Sequence, residues 1–73
     1  MNFPQYRMLI NEKVIYKIID DRNFEEKQRS GSKIFHFKIE AKQYPELLKI
    51  KDMLSCIDQL FIIKEEKDWL LFE

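Results

Sequence analysis

Apolar positions early in the chain bunch into two short runs, 6–10 and 14–19, rich in β-branched and aromatic residues and parted by Asn11, Glu12 and Lys13. Such runs favour extended backbone, so the pattern predicts a β-hairpin. The connection lacks the glycine that tight hairpin turns prefer, which leaves a helix through Arg7 to Ile19 as the alternative. From 33 to 42 the alternation is plain. Phe35, Phe37, Ile39 and Ala41 would share one side of a strand, and Ile34, His36, Lys38 and Glu40 the other. The odd-numbered side then supplies the core, and the even-numbered side meets solvent. Beyond Tyr44 the period lengthens: Leu47, Ile50, Met53, Leu54 and Ile57 recur at three- and four-residue spacings, with Pro45 suited to the first turn. This predicts the main helix over 45–57.

Two further segments are read from local chemistry. Asn23 followed by Glu26 has the spacing of a capping box, acidic Glu25 and Glu26 precede basic Lys27 and Arg29, and Gly31 suits a helix end. A short helix is predicted there, with a polar loop around Ser30-Gly31-Ser32 as the alternative. At the C-terminal end, 60–64 and 69–72 read as strands flanking the charged turn Glu65-Glu66-Lys67-Asp68. The expected fold class is therefore α+β. It has a small antiparallel-rich sheet, one main helix packed on one face and one short helix, in the order β-β-α-β-α-β-β. Phe35, Phe37, Ile39, Leu47, Ile50, Leu54, Ile62 and Trp69 are the expected core.

Length changes the picture next. At 73 residues there is room for one domain, 1–73, and such a small core is often supplemented by a metal, a disulfide or a partner. One cysteine excludes an intrachain disulfide, and one cysteine with one histidine cannot supply a four-ligand zinc site of the usual composition. A partner is the remaining supplement. The 45% apolar fraction is that of a folding chain even beside 36% charge, and neither a membrane span nor a secretory leader is visible. A cytoplasmic protein without a membrane partner is expected.

Thirteen basic and thirteen acidic residues give zero net charge, which argues against bulk attraction to nucleic acid. The division is uneven: 1–42 holds nine basic against six acidic groups, +3, and 43–73 holds four against seven, −3.

Candidate chemistry is sparse. His36, the one histidine, offers an imidazole that could act as acid, base or ligand but has no nucleophile close in sequence, and Cys56 lies toward the C-terminal end of the main helix, where the dipole disfavours a thiolate. Adjacent carboxylates such as Glu65-Glu66 project apart on regular structure. A single glycine excludes most phosphate-binding loops, and the common metal and nucleophile motifs are missing. No catalytic residue and no metal or cofactor site is assigned, and no enzyme is expected. The preferred expectation is a non-catalytic interaction or regulatory domain that binds a protein partner through its surface or an edge strand. A homodimer is one form of it, with Trp69, Leu71 and Phe72 as the candidate interaction surface, although core burial is the default for so apolar a run. The alternative is a small RNA- or DNA-binding domain using Lys33, Lys38 and Lys42.

Overall fold

The computed structural model describes residues 2–56 and 60–72. The element order is β1 (Gln5–Leu9), β2 (Val14–Ile18), β3 (Asn23–Ser30), β4 (Lys33–Glu40), α1 (Tyr44–Ser55), β5 (Phe61–Lys64) and α2 (Glu66–Leu71). The strands form one antiparallel sheet in the order β4-β3-β2-β1-β5. This is an α+β fold, but its order is β-β-β-β-α-β-α rather than the expected one.

The first hairpin forms as expected, and its missing glycine is replaced by two devices. Glu12 adopts the left-handed conformation at φ 62°, and its N–H donates to Leu9 O at 2.8 Å. The Asn11 carboxamide accepts from Lys13 N at 2.9 Å, an Asx turn. The alternative helix through Arg7 to Ile19 is therefore excluded.

The short helix predicted over 23–31 is instead strand β3. The capping chemistry is present, but it belongs to Asp20, whose Oδ1 accepts from the N–H groups of Arg22 and Asn23, both at 2.8 Å. That Asx turn launches a strand. Phe24 pairs with Ile18 and Ile39, and Glu26 with Tyr16 and Phe37. Glu25 to Arg29 holds good helix formers and no apolar alternation, so tertiary pairing outweighs local propensity. Gly31, at φ 63°, supplies the first central position of the two-residue turn into β4.

Of the expected strand over 69–72, Trp69 to Leu71 belong to α2 and Phe72 is its C-cap. Glu65 and Asp68 form the capping box: Asp68 Oδ2 accepts from Glu65 N at 2.9 Å, and the Glu65 side chain accepts from the N3 backbone. Trp69 and Phe72, three apart, then turn inward together, while Leu70 and Leu71 point outward.

Each sheet face carries one helix, and each has its own core. Tyr16, Ile18, Phe24 and Ala41 pack with Ile50 and Met53 of α1; Ile39 and Leu54 join at the margin. On the opposite face Tyr6, Met8 and Ile15 pack with Trp69 and Phe72. The even-numbered side of β4 is thus partly covered, since His36 meets the Trp69 ring edge-on at 5.6 Å. The expected core needs correction at four positions. Phe35 (45% exposed), Phe37 (44%), Leu47 (37%) and Ile62 (38%) lie beyond or at the borders of the cover that the two helices supply.

Helix α1 is held to the sheet by buried polar groups as well. Arg7, buried in β1, donates from Nε to Met53 O at 2.9 Å and from Nη2 to Leu54 O at 3.4 Å, so it satisfies carbonyls at the helix C-terminal end. Pro45 occupies the start of α1, as expected, and Cys56 closes it in the left-handed conformation. Ile57, the last residue of the predicted helix, lies outside the described residues.

A second polar cluster links β2, β3 and α1. Buried Glu26 accepts from Gln28 Nε2 and, at 3.3 Å, from Lys49 Nζ, and Tyr16 is hydrogen-bonded to it as well. Burial, then the Glu26 charge and this hydrogen bond, raise the Tyr16 pKa well above the ordinary tyrosine value. The folded protein therefore holds this proton at pH values where the unfolded chain has begun to release it. Its contribution to stability is complete below about pH 10 and is lost as pH rises above it. Tyr16→Phe should cost about 1 kcal/mol at pH 7, but its alkaline stability slope should be shallower than wild type by up to ~1.4 kcal/mol per pH unit. Urea unfolding between pH 7 and 11.5 measures both; parallel slopes would contradict the assignment.

Candidate protein-interaction edge

Among the described residues strand β4 has a neighbour on one side only, and its register with β3 identifies which backbone groups point away from that neighbour. Ala41 N donates to Arg22 O at 2.6 Å, and the same ladder runs without a bulge from Asn23↔Glu40 to Ser30↔Lys33. Odd-numbered residues of β4 therefore aim their N–H and C=O groups at β3. The groups of Ile34, His36, Lys38 and Glu40 point away from the sheet. No described strand pairs with that edge.

The side chains add apolar area to this row of donors and acceptors. Phe35 and Phe37 stand on the α1 side of the sheet, in register with Gln28 and Glu26, and are nearly half exposed. Ile34 stands on the other side and is 37% exposed. The strand is eight residues long, with no proline and no bulge to deter a further strand, although Lys33 and Lys38 supply charge along it. The opposite edge, β5, is only four residues long and leads at once into the capped turn of α2.

The other predicted positions are dispersed. Trp69 and Phe72 are buried in the second core, while Leu71 is 76% exposed on the outer side of α2, so the three do not form one surface. Lys27 Nζ donates to Trp69 O at 2.9 Å and lies 4.4 Å from its ring centroid; Arg29 lies over Phe72 at 4.5 Å. Lys33 and Lys38 project from opposite sides of β4, and Lys42, beyond its end, pairs with Glu40 at 3.3 Å. The three lysines do not converge.

His36 Nε2 lies 2.6 Å from Glu25 Oε1, which ties its ring to β3. Cys56 is half-buried, with its Sγ 3.6 Å from Met53 O. Among the described residues, no three histidine, cysteine or acidic side chains gather as a metal ion would require. None of the described helices is long and apolar enough to cross a membrane. An open groove of about 330 Å³ lies between Asp21 and the Leu47, Ile50 and Leu54 side of α1, with few polar groups to orient a ligand.

Sequence reading expected binding through a surface or an edge strand but did not identify β4 as an exposed edge. Alternation assigns Phe35 and Phe37 to the core side of β4, correctly, but exposure depends on how far α1 reaches across that side. Comparison with protein-family models, characterised proteins and solved structures finds no match to this chain.

Proposed function

We propose that this protein is a non-catalytic interaction domain that binds an extended protein segment by adding it as a strand beside β4. The observation that supports this reading is the free eight-residue edge flanked by half-exposed Phe35 and Phe37. Backbone pairing would give affinity, and contacts to alternate side chains would give selectivity. Apolar side chains on one side of the incoming strand would extend the Phe35–Phe37 row, and carboxylates on the other would meet Lys38.

The half-exposed aromatics also favour a second reading, stacking of single-stranded nucleic acid on β4. It is the weaker of the two. Phe37 stands beside Glu26, the lysines do not converge, and the net charge is zero. Selection from a displayed random-peptide library tests the first reading. Wild type should enrich alternating apolar segments; Lys38→Pro should abolish their binding, because it removes an outward N–H, whereas Leu71→Glu should not. Enrichment that survives Lys38→Pro in a folded protein, or no enrichment at all, would sink the strand-addition reading. Binding to mixed RNA or DNA that weakens steeply with salt would establish the nucleic-acid reading instead.

A further inference from the structure

We infer that the segment paired with β4 is β4 of a second copy of this chain, antiparallel, about a two-fold axis through Phe37. This rests on the strand-addition reading and specifies its partner. In a continuous two-copy sheet, residues directly opposite each other share a face, so the paired residue numbers must have the same parity. Only even-numbered residues carry outward backbone groups, so even residues pair through hydrogen bonds and odd residues fall at the closer, non-bonded positions.

Two axes keep nearly the full length of β4 in register. With the axis at His36, the two imidazoles stand opposite each other and Lys33 opposes Ile39, which breaks the apolar row. With the axis at Phe37, Phe37 faces its mate and Phe35 faces Ile39, a row of apolar pairs that continues the α1-side core across the junction. On the other side Ile34 opposes Glu40 and His36 opposes Lys38, so neither pair sets two carboxylates or two lysines directly opposite each other.

Charge is balanced about the second axis. Arg29 is the β3 partner of Ile34 and Asn23 that of Glu40, so one cross-sheet row runs Asn23, Glu40, then Ile34 and Arg29 of the other copy; the next runs Glu25, Lys38, then His36 and Lys27 of the other copy. Opposite charges in the first row and like charges in the second are each kept apart by an intervening strand, so the apolar row decides the axis. A net charge of zero adds no long-range repulsion between copies. The exposed fractions of Phe35 (45%), Phe37 (44%) and Ile34 (37%) leave roughly 250 Å² of apolar side chain per copy to cover, taking about 200 Å² for a large side chain. A standard interface buries about 800 Å² per partner, so the pairing is a weak, concentration-dependent dimer rather than an obligate one.

The test combines mass, cross-linking and charge exchange. Sedimentation equilibrium from about 10 μM to 1 mM should show wild type passing from monomer toward dimer, and Lys38→Pro remaining monomeric with unchanged circular dichroism. In a Cys56→Ser background, Phe37→Cys should oxidise to a disulfide dimer at least about tenfold faster than His36→Cys. Only the former has Cα atoms about 4.5 Å apart, within disulfide reach. Ile34→Glu should weaken dimerisation by about tenfold through Glu40 of the other copy, and adding Glu40→Lys should restore it. Rescue does not depend on proline being tolerated. A wild type monomeric at 1 mM overturns self-pairing, while the peptide selection still decides strand addition. A dimer that cross-links faster at His36, or ignores both Lys38→Pro and the charge exchange, overturns it as well.

Discussion

Trp69→Ala is expected to destabilise the protein by about 3–5 kcal/mol, the range for removing a large aromatic side chain from a core. The indole is only 5% exposed and anchors a six-residue helix too short to persist alone. It meets Tyr6 at 6.4 Å and His36 at 5.6 Å between ring centroids, with Lys27 over its face. Its loss would uncover Ile15 and Met8 on the sheet side of the second core. A chain of 73 residues has a total stability of about 4–11 kcal/mol, so the melting temperature should fall by on the order of 15–30 °C. Leu71→Ala, at a position 76% exposed, should cost less than about 0.5 kcal/mol. Thermal and urea unfolding of the pair distinguish a helix docked through Trp69 from one docked through Leu71. Equal effects would refute the docking described above.

Arg7→Ala should cost about 3 kcal/mol for a different reason. The guanidinium donates to the carbonyls of Met53, Leu54 and Tyr6 and to Gln5 Oε1. Its removal leaves acceptors at the end of α1 without their donors, under a helix whose last turn contains no basic residue. Arg7→Lys keeps the charge but not the planar fork, and should recover only about half of the loss. Urea unfolding gives the magnitudes, and hydrogen exchange in the last turn of α1 gives the location. Fast exchange confined to that turn is expected at conditions where the sheet stays protected. A neutral Arg7→Ala would show that water serves these carbonyls equally well.

Both predictions bear on function through the division of the sheet. One helix lies on each face, and their anchors lie chiefly over the central strands and β1; α2 reaches β4 only at His36, through Trp69, and the cover from α1 runs out before Phe35 and Phe37. The proposed interaction edge is what remains after the two cores are built. Substitutions that unseat α1 or α2 should therefore be separable from Lys38→Pro, which leaves both cores intact.

What the residues determine by themselves is local and periodic. The alternation from Lys33 to Ala41 specifies a strand and its two sides. Pro45 with the three- and four-residue spacings specifies α1, and the β-branched runs before Ile19 specify a hairpin. Glu65 to Asp68 reads as a charged hairpin turn, because Glu65 is not one of the usual N-cap residues and Trp69-Leu70-Leu71-Phe72 has the composition of a buried strand; the capping box appears only in the structure. For β3 no local signal was adequate, because Glu25 to Arg29 has neither period. Its strand identity comes from neighbours distant in sequence: the ladders to β2 and β4, Lys49 on Glu26, and Trp69 under Lys27. Only tertiary structure decided that Phe35 and Phe37, on the core side of their strand, remain half exposed. Side-chain direction follows from backbone geometry within a few residues, whereas burial requires another element long enough to arrive overhead, and α1 does not reach them.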